Sequence, residues 1–260
     1  MEARVAEWVD IVAELLTEPM GDFPIGVVGR GLVETFHAEA ASRVWRTPEG
    51  RAALHIVAPR GARFGDHTLS EAGRSLAVAA NSELLGHHPL VRWYAKTGSA
   101  DPQTLDRVPR AIAITSRSSE ALELMAHHGI ERQLAIPLGL PGAAPTAIVV
   151  WRGGATDFDQ ADLAVAARLT PLLRALRRQS EAIGEFEASE ALSSLTGREL
   201  AVLVLLSRGM TSLAIASHLD CAARTVEKHL EHVYRKLGVT DRVSAVRISR
   251  GVKGVAGVAS

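Results

Sequence analysis

The segment from Ala223 to Leu237 constrains the fold more than any other, because its residues divide between two helical faces. At about 100° per residue, four apolar side chains form one narrow stripe: Val226, Leu230, Val233 and Leu237. The opposite face is polar and carries Arg224, Lys228, Glu231, His232 and Arg235. Such a helix packs its stripe on other helices and leaves the charged face free for a partner.

Helix-starting and helix-ending residues divide positions 195–250 into four helices. Thr196 and Glu199 have the spacing of a capping box, and Gly209 can end the helix that follows. The other boundaries follow the same chemistry: a start at Thr211, a turn at Asp220 to Ala222, an end at Gly238 and a start at Thr240. A short helix, a tight turn and a longer helix is the geometry that places the longer helix in the DNA major groove.

The charges of the chain are distributed unevenly, although the formal net charge of the 260 residues is zero. Residues 191–260 contain ten Lys and Arg against five Asp and Glu, a net charge of +5. Residues 1–190 contain nineteen against twenty-four, a net charge of −5. A basic domain that follows an acidic one indicates a nucleic-acid-binding part and a separate part with another role.

Several absences narrow the class of protein. The single cysteine, Cys221, excludes an intramolecular disulfide, and we expect it to be a half-buried core residue rather than a redox sensor. The N-terminus lacks the pattern of a signal peptide, and no apolar run reaches membrane-spanning length. These features predict a cytoplasmic protein without membrane contact.

Five short motifs in the last quarter of the chain resemble the LuxR-type helix-turn-helix domain. They are Leu195–Leu203, Ser207–Thr211, Ile215–Ala216, Arg224–His229 and Arg235–Val239. The resemblance implies a transcription regulator whose last helix forms a homodimer on a palindromic site in double-stranded DNA. RNA polymerase is a further candidate partner.

The same resemblance assigns DNA contacts to individual residues. Base-reading side chains would be Glu227, Lys228 and Glu231. Helix-capping and backbone contacts would come from Thr211, Ser212, Arg224 and Thr225, and phosphate contacts from Arg235 and Lys236, with His232 on the same face. Glu227 and Glu231 stand where the family often has basic residues. A carboxylate there can accept a hydrogen bond from cytosine N4 or form a surface ion pair on the helix, and both interpretations remain open.

Residues 1–180 mix helical and strand patterns, which predicts an α+β domain with an antiparallel sheet. The predicted helices are 3–17, 26–39, 70–85 and 118–127, with a long helix that Asp157 begins and that ends near 186. The predicted strands are 42–46, 53–58, 111–115, 134–138 and 147–151, with turns at 48–50 and 141–145. The turn-rich segment 87–109 is predicted to be a long loop.

The end of this first domain resembles a GAF domain, on the motifs Gln133–Leu138, Ile148–Trp151 and Asp157–Leu163. The resemblance implies a sensor or dimerisation domain of the PAS/GAF type. Phospho-receiver and acyl-homoserine-lactone domains match the sequence less well, because the required acidic and aromatic spacings are not met. The predicted organisation is a GAF-like domain at 1–184, a linker at 185–194, a four-helix DNA-binding domain at 195–252 and a flexible tail at 253–260.

Four residues are candidates for a small-molecule pocket in the first domain: Trp45, His55, Trp93 and Trp151. For each of them a packing role in the core is the stronger interpretation, since buried aromatic residues most often serve packing. The alternative to a DNA-binding regulator is a small-molecule-binding or protein-interaction module with a weak or degenerate DNA-binding domain, and the two acidic residues Glu227 and Glu231 favour it.

Two histidine pairs, at 87–88 and 127–128, suggest a metal site at first sight. Adjacent histidines on a helix or strand are expected to point apart, and no thiolate lies near them in the sequence, so we predict neither a metal site nor a cofactor. No nucleophile–base motif or phosphate-binding glycine loop is present, so the chain is not expected to be an enzyme.

Overall fold

The computed structural model describes residues 2–47, 51–139, 146–154 and 156–251. It divides into two compact units. The first consists of Met1–Glu18 with Phe23–Arg178, and the second of Pro19–Asp22 with Gln179–Ser260. The predicted turns at 48–50 and 141–145 and the predicted tail at 253–260 lie outside the described residues. In the part of the chain that is described, no helix combines the length and the hydropathy needed to cross a membrane.

The first unit mixes helices and short strands along its described residues. In chain order the elements are α1 (Glu2–Leu15), α2 (Ile25–Thr35), β1 (Ala40–Arg46), β2 (Ala52–Val57), β3 (Arg63–Phe64), β4 (His67–Thr68), α3 (Leu69–Ala80), a 3-10 helix (Glu83–His87), α4 (Pro89–Thr97), β5 (Gln103–Thr104), α5 (Arg110–Ala113), α6 (Ser118–His127), β6 (Arg132–Pro137), β7 (Thr146–Arg152) and the long helix α7 (Gln160–Ser193). The residues of α7 from Gln179 onward belong to the second unit. The predicted α+β class with an antiparallel sheet is confirmed.

Five of these strands form one sheet in the order β2-β1-β7-β6-β5, with every pair antiparallel. The predicted hairpin is present, and Ile136 of β6 lies opposite Ile148 of β7. Strand alternation sends Leu134 and Ile136 to one face and Gln133 and Ala135 to the other, and all four are buried. Both faces of the central strands are therefore covered by other elements of the first unit, and a binding site can lie between one face and the elements that cover it.

Two predictions between residues 87 and 115 are wrong. The segment 87–109 is not a loop, because it contains α4 and the short strand β5. Pro89 occupies the first turn of α4, where the fixed φ of proline favours helix, and Gly98 ends the helix in the left-handed conformation at φ 62°. Residues 111–115 are not a strand, because Arg110–Ala113 form the one-turn helix α5. Periodicity does not distinguish helix from strand in so short an apolar run.

The long helix α7 also differs from its prediction at both ends. Its first turn is capped by Asp159 rather than Asp157, since the Asp159 carboxylate accepts from the Asp162 backbone N–H at 2.7 Å. The helix continues to Ser193, so the segment 185–194 is helical for nearly all of its length. Its Glu and Ala residues have high helix propensity, which explains why this small, polar and acidic segment is helical, and its role as a linker stays a prediction.

The second unit contains the four predicted helices: α8 (Gly197–Ser207), α9 (Ser212–His218), α10 (Ala223–Lys236) and α11 (Arg242–Gly251). Gly209 and Gly238 follow α8 and α10 with φ of 88° and 65°, the left-handed conformation that glycine adopts without strain. The cap of α11 is Asp241 and not Thr240, because Asp241 accepts from the Ser244 backbone N–H at 2.9 Å. The helices share one apolar core, which includes Val202, Leu206, Ile215, Val226, Val233 and Ala245.

Candidate nucleic-acid interface and apolar cavity

Helix α10 presents the two faces that its sequence predicts. Val226, Leu230 and Val233 are buried in the core of the second unit. Six of the residues assigned to DNA contacts are exposed and recur over successive turns of the helix: Arg224, Thr225, Glu227, Lys228, Glu231 and Arg235. We call these six residues the recognition face.

The charged groups of the recognition face are not paired with one another. Among the described residues, neither Glu227 nor Glu231 has a cationic nitrogen within 4.0 Å of its carboxylate. The surface ion pairs that would explain these two glutamates structurally are therefore not seen in this part of the chain. The recognition face can offer both carboxylate acceptors and cationic donors to a partner.

Lys236 and His232 differ from the rest, because the structure directs both towards Glu199 at the start of α8. The Lys236 ammonium donates to the Glu199 carboxylate at 2.7 Å and to the Ser194 carbonyl at 3.1 Å. The Nδ1 atom of His232 lies 3.7 Å from the same carboxylate. These two residues connect α10 to α8, a role that the sequence interpretation assigned to neither.

Glu199 is the centre of this connection. Its carboxylate accepts from the Thr196 backbone N–H at 2.8 Å and the Thr196 hydroxyl accepts from the Glu199 N–H, so the predicted capping box is present. The side chain is 5% exposed. The hydrogen bond from Lys236, followed by that from the Thr196 backbone, lowers the pKa of Glu199 to about 2.

The turn between α9 and α10 has the geometry of a tight helix-turn-helix. The Thr211 hydroxyl caps α9 by accepting from the Ala214 N–H at 3.3 Å. Asp220 adopts the left-handed conformation at φ 50°, and the N–H of Cys221 then donates to the Ala216 carbonyl at 3.0 Å. Cys221 is half-buried against the core, which agrees with the predicted packing role. Ser212 is half-buried in the first turn of α9.

The first unit contains a cavity of about 610 Å³. Its floor is one face of the sheet, including Val44, Leu54, Ala135 and Val149, and its walls are residues of α3, the 3-10 helix, α4 and α6. The Tyr94 hydroxyl lies 3.1 Å from the Ala135 carbonyl oxygen and so fastens α4 to strand β6 beside the cavity. A largely apolar cavity of this size is typical of small-molecule sites.

The structure separates the four predicted pocket residues into two groups. Trp45 and Trp151 line the cavity. His55 is exposed on β2 and is not among the lining residues, because its neighbour Leu54 faces the cavity and successive strand residues alternate. Trp93 packs beside Leu90 and Ala135 in a small adjoining cluster instead of lining the cavity.

Three polar side chains on the cavity wall were not predicted. His88 and Gln133 are 5% and 4% exposed, and the Nε2 atom of each is buried without a hydrogen-bond partner among the described residues. The Oγ1 atom of Thr146, another lining residue, is likewise buried without a hydrogen-bond partner among the described residues. Burial lowers the pKa of His88 to about 4, so its ring is uncharged near neutral pH. The one available sequence signal was the 87–88 pair, which points to metal binding rather than to a cavity.

The second histidine pair behaves differently from expectation. His127 and His128 do not point apart, since their ring centroids lie 5.3 Å from each other and each lies 4.8 Å from His67. The Nε2 atoms of His67 and His127 are 3.0 Å apart. Within the described ranges, no group of three or more His, Cys, Asp and Glu is arranged to hold a metal ion.

The C-terminal part of the chain matches known proteins. Residues 193–249 match the family model "Bacterial regulatory proteins, luxR family". The chain is 42% identical over 59 residues to the probable transcriptional regulatory protein SgaR of Hyphomicrobium methylovorum, covering 23% of this chain and 28% of that protein. It is 41% identical over 70 residues to the glycerol metabolism activator of Pseudomonas putida, covering 27% and 31%.

A third relative is the nitrate/nitrite response regulator protein NarL of Escherichia coli, 32% identical over 84 residues that cover 32% of this chain and 37% of NarL. The chain therefore corresponds to less than two fifths of each of these relatives. All three are named as regulators or activators rather than as enzymes, which agrees with the expectation of a non-enzymatic chain.

Two solved structures resemble the chain over most of its length. SdiA in complex with octanoyl-rac-glycerol covers 96% of both chains at 15% identity, with a TM-score of 0.44. A crystal structure of Escherichia coli SdiA covers 85% of this chain and 86% of its own at 18% identity, with a TM-score of 0.39. From the helical geometry and the family match together, the chain carries at residues 193–249 a helix-turn-helix domain of the luxR family of bacterial regulatory proteins.

Proposed function

We propose that the protein is a DNA-binding transcription regulator that acts as a homodimer on a palindromic operator and responds to a small molecule bound in its first unit. The observation that carries the DNA-binding role is the recognition face of α10, exposed and free of internal ion pairs among the described residues. Helix α10 lies within residues 193–249, which match the family model of luxR-type bacterial regulatory proteins.

Within the recognition face, the base contacts are assigned to Glu227, Lys228 and Glu231, which occupy the central turns of α10. Lys228 can donate to guanine O6 and N7, and the two carboxylates can accept from cytosine N4. Arg224, Thr225 and Arg235 flank them and suit phosphate contacts. Thr211 and Ser212 lie at the start of α9, where backbone N–H groups at the helix N-terminus can donate to a DNA phosphate. Lys236 and His232 are directed towards Glu199 and connect α10 to α8.

The homodimer is supported by α11, on which Val243 is 77% exposed although it is apolar. Ala245, two positions further along, is fully buried, so α11 packs one face on the domain and leaves another uncovered. An uncovered apolar side chain on the last helix suits contact with a second copy in a two-fold arrangement. A two-fold protein then requires two half-sites in inverted orientation.

The test is selection of bound duplexes from a random DNA pool by the full-length protein, followed by affinity measurement. We expect an inverted repeat to be enriched, and a duplex with one half-site to bind more weakly than the repeat. Lys228→Ala should lower operator affinity about 10- to 100-fold, the cost of losing a base-reading donor. Lys96→Ala removes an exposed lysine of the first unit and serves as the matched control with unchanged affinity.

A second function is favoured by the cavity, which supports a small-molecule-binding module in which the DNA domain is degenerate. The two carboxylates on the recognition face also favour it, because they repel phosphate. If all duplexes bind with equal affinity and Lys228→Ala has no effect on binding, this second function replaces the first.

A further inference from the structure

The residues that line the cavity restrict the charge of a ligand that can bind there. Among the described lining residues there is no Asp, Glu or Lys, and the single Arg is Arg46, at the exposed end of β1. Arg46 already has a partner of its own. An ionised ligand would therefore lose its hydration in the cavity without gaining a counter-ion, which is strongly unfavourable.

The same wall requires some polarity in its ligand. His88 and Gln133 are both more than nine-tenths buried, and the Nε2 atom of each has no hydrogen-bond partner among the described residues. Buried polar groups in folded proteins are nearly always paired, and an unpaired one destabilises the empty state. The Gln133 amide nitrogen is a donor and needs an oxygen acceptor, and the neutral ring of His88 can bond a hydroxyl group in either tautomer.

The unpaired donor at Gln133 bears on the polar group of the ligand. An alcohol or ester oxygen matches the donor at Gln133 directly. The remainder of the wall is apolar and includes Leu54, Leu76 and Met125. It suits a hydrocarbon chain.

We infer that the cavity binds an uncharged, mainly apolar alcohol or ester whose oxygen atoms meet His88 and Gln133, and that it discriminates against the anionic fatty acid of the same chain length. The inference rests on the proposed ligand-controlled function and names the chemistry of that ligand. It assigns His88 and Gln133 as specificity-determining residues.

The experiment compares three probes with the same ten-carbon chain: 1-decanol, sodium decanoate and decane. Full-length protein stripped of co-purifying lipid is titrated at pH 7.5, where decanoate is ionised. Displacement of the uncharged fluorophore Nile red reports affinity. We expect decanol to bind at least about tenfold more tightly than decanoate and more tightly than decane.

Two variants test the residue assignment, because either one alone could disturb folding. His88→Phe and Gln133→Leu should each weaken decanol binding about fivefold or more, the usual effect of losing one net hydrogen bond. Decane affinity should stay within about twofold of wild type, which shows that the cavity is intact. His55→Phe changes an exposed histidine that does not line the cavity and should leave all three affinities unchanged.

The outcomes separate this inference from the function on which it rests. If decanoate binds as tightly as decanol, or if the two variants lose decane and decanol affinity equally, the assigned ligand chemistry is wrong and a ligand-binding cavity remains. If none of the three probes displaces Nile red or raises the unfolding temperature, the small-molecule control and the ligand chemistry fail together. Loss of operator binding by Lys228→Ala tests the DNA-binding role independently of all three probes.

Discussion

Glu199 shows how a single carboxylate can organise a small helical domain. It accepts hydrogen bonds from the Thr196 backbone and from Lys236, and so fixes the first turn of α8 to the last turn of α10. The second of these contacts depends on a residue 37 positions away. Because α10 carries the recognition face, the carboxylate also orients the surface that we propose for DNA.

The protonation of Glu199 predicts an acid-sensitive second unit. Its pKa is lowered from an ordinary value of 4.5 to about 2 in the folded state, chiefly by the Lys236 hydrogen bond. The stabilisation is therefore complete above pH 4.5 and is lost as the pH falls from about 4.5 to about 2. Hydrogen-exchange protection of α8 and α10, corrected for intrinsic rates, should fall through this range in the wild type.

Glu199→Gln is the control for that measurement, because it retains hydrogen-bonding capacity and does not titrate. Its protection should be lower than wild type at about pH 6 and nearly constant between about pH 4.5 and 2.5. An equal loss of protection in both proteins over this range would show that other groups cause the acid sensitivity.

At the scale of the element, α10 begins without the side-chain cap that α8 and α9 possess. Thr196 and Thr211 cap those two helices through their hydroxyl groups. Ala222 holds the equivalent position before α10 in an extended conformation, with φ −72° and ψ 146°, but has no side chain that can accept. The helix that carries the recognition face is therefore held mainly by its buried stripe.

Ala222→Ser should add the missing cap, because Ala222 is exposed and has the backbone conformation of a capping residue. We expect an increase of about 1 kcal/mol in the free energy of unfolding of the second unit. Urea denaturation, followed by loss of helical circular dichroism, measures it. Ala201→Ser makes the same substitution inside α8, where a hydroxyl cannot cap, and a small loss of stability is expected there. Equal stability changes in the two variants would exclude a capping effect.

At the scale of the whole molecule, charge is divided between regions of the chain while the net charge is zero. The basic residues of positions 191–260 exceed the acidic ones by five, and the acidic residues of positions 1–190 exceed the basic ones by five. DNA affinity should then depend on the local cations near the recognition face rather than on the net charge of the chain.

Arg235→Gln tests this division. If Arg235 contacts one phosphate, its loss should reduce the slope of log affinity against log salt concentration by about 0.9 and weaken all duplexes similarly. Titration of operator and random DNA between about 50 and 200 mM salt gives both slopes. A selective loss of operator binding with an unchanged slope would place Arg235 at a base instead.

The helices of the second unit were predictable because each boundary depends on residues adjacent in sequence. The capping box at Thr196 and the glycines at 209 and 238 are local devices, and the two faces of α10 follow from helical periodicity alone. The same locality explains why two other segments differ from the secondary structure predicted for them. Residues 111–115 have too few positions for any period to decide, and the composition of 185–194 suits both a linker and a helix.

The sequence by itself thus determined the helix-turn-helix, the charge division and the antiparallel hairpin, since neighbouring residues specify all three. Only the tertiary structure decided that Lys236 pairs with Glu199, and that His88 and Gln133 reach the same cavity from the start of α4 and from β6. The physical reason is that a partly buried ion pair or a cavity wall is assembled from residues far apart in the chain. Its energy depends on burial and on the match of donors to acceptors, and neither quantity exists before the chain has folded.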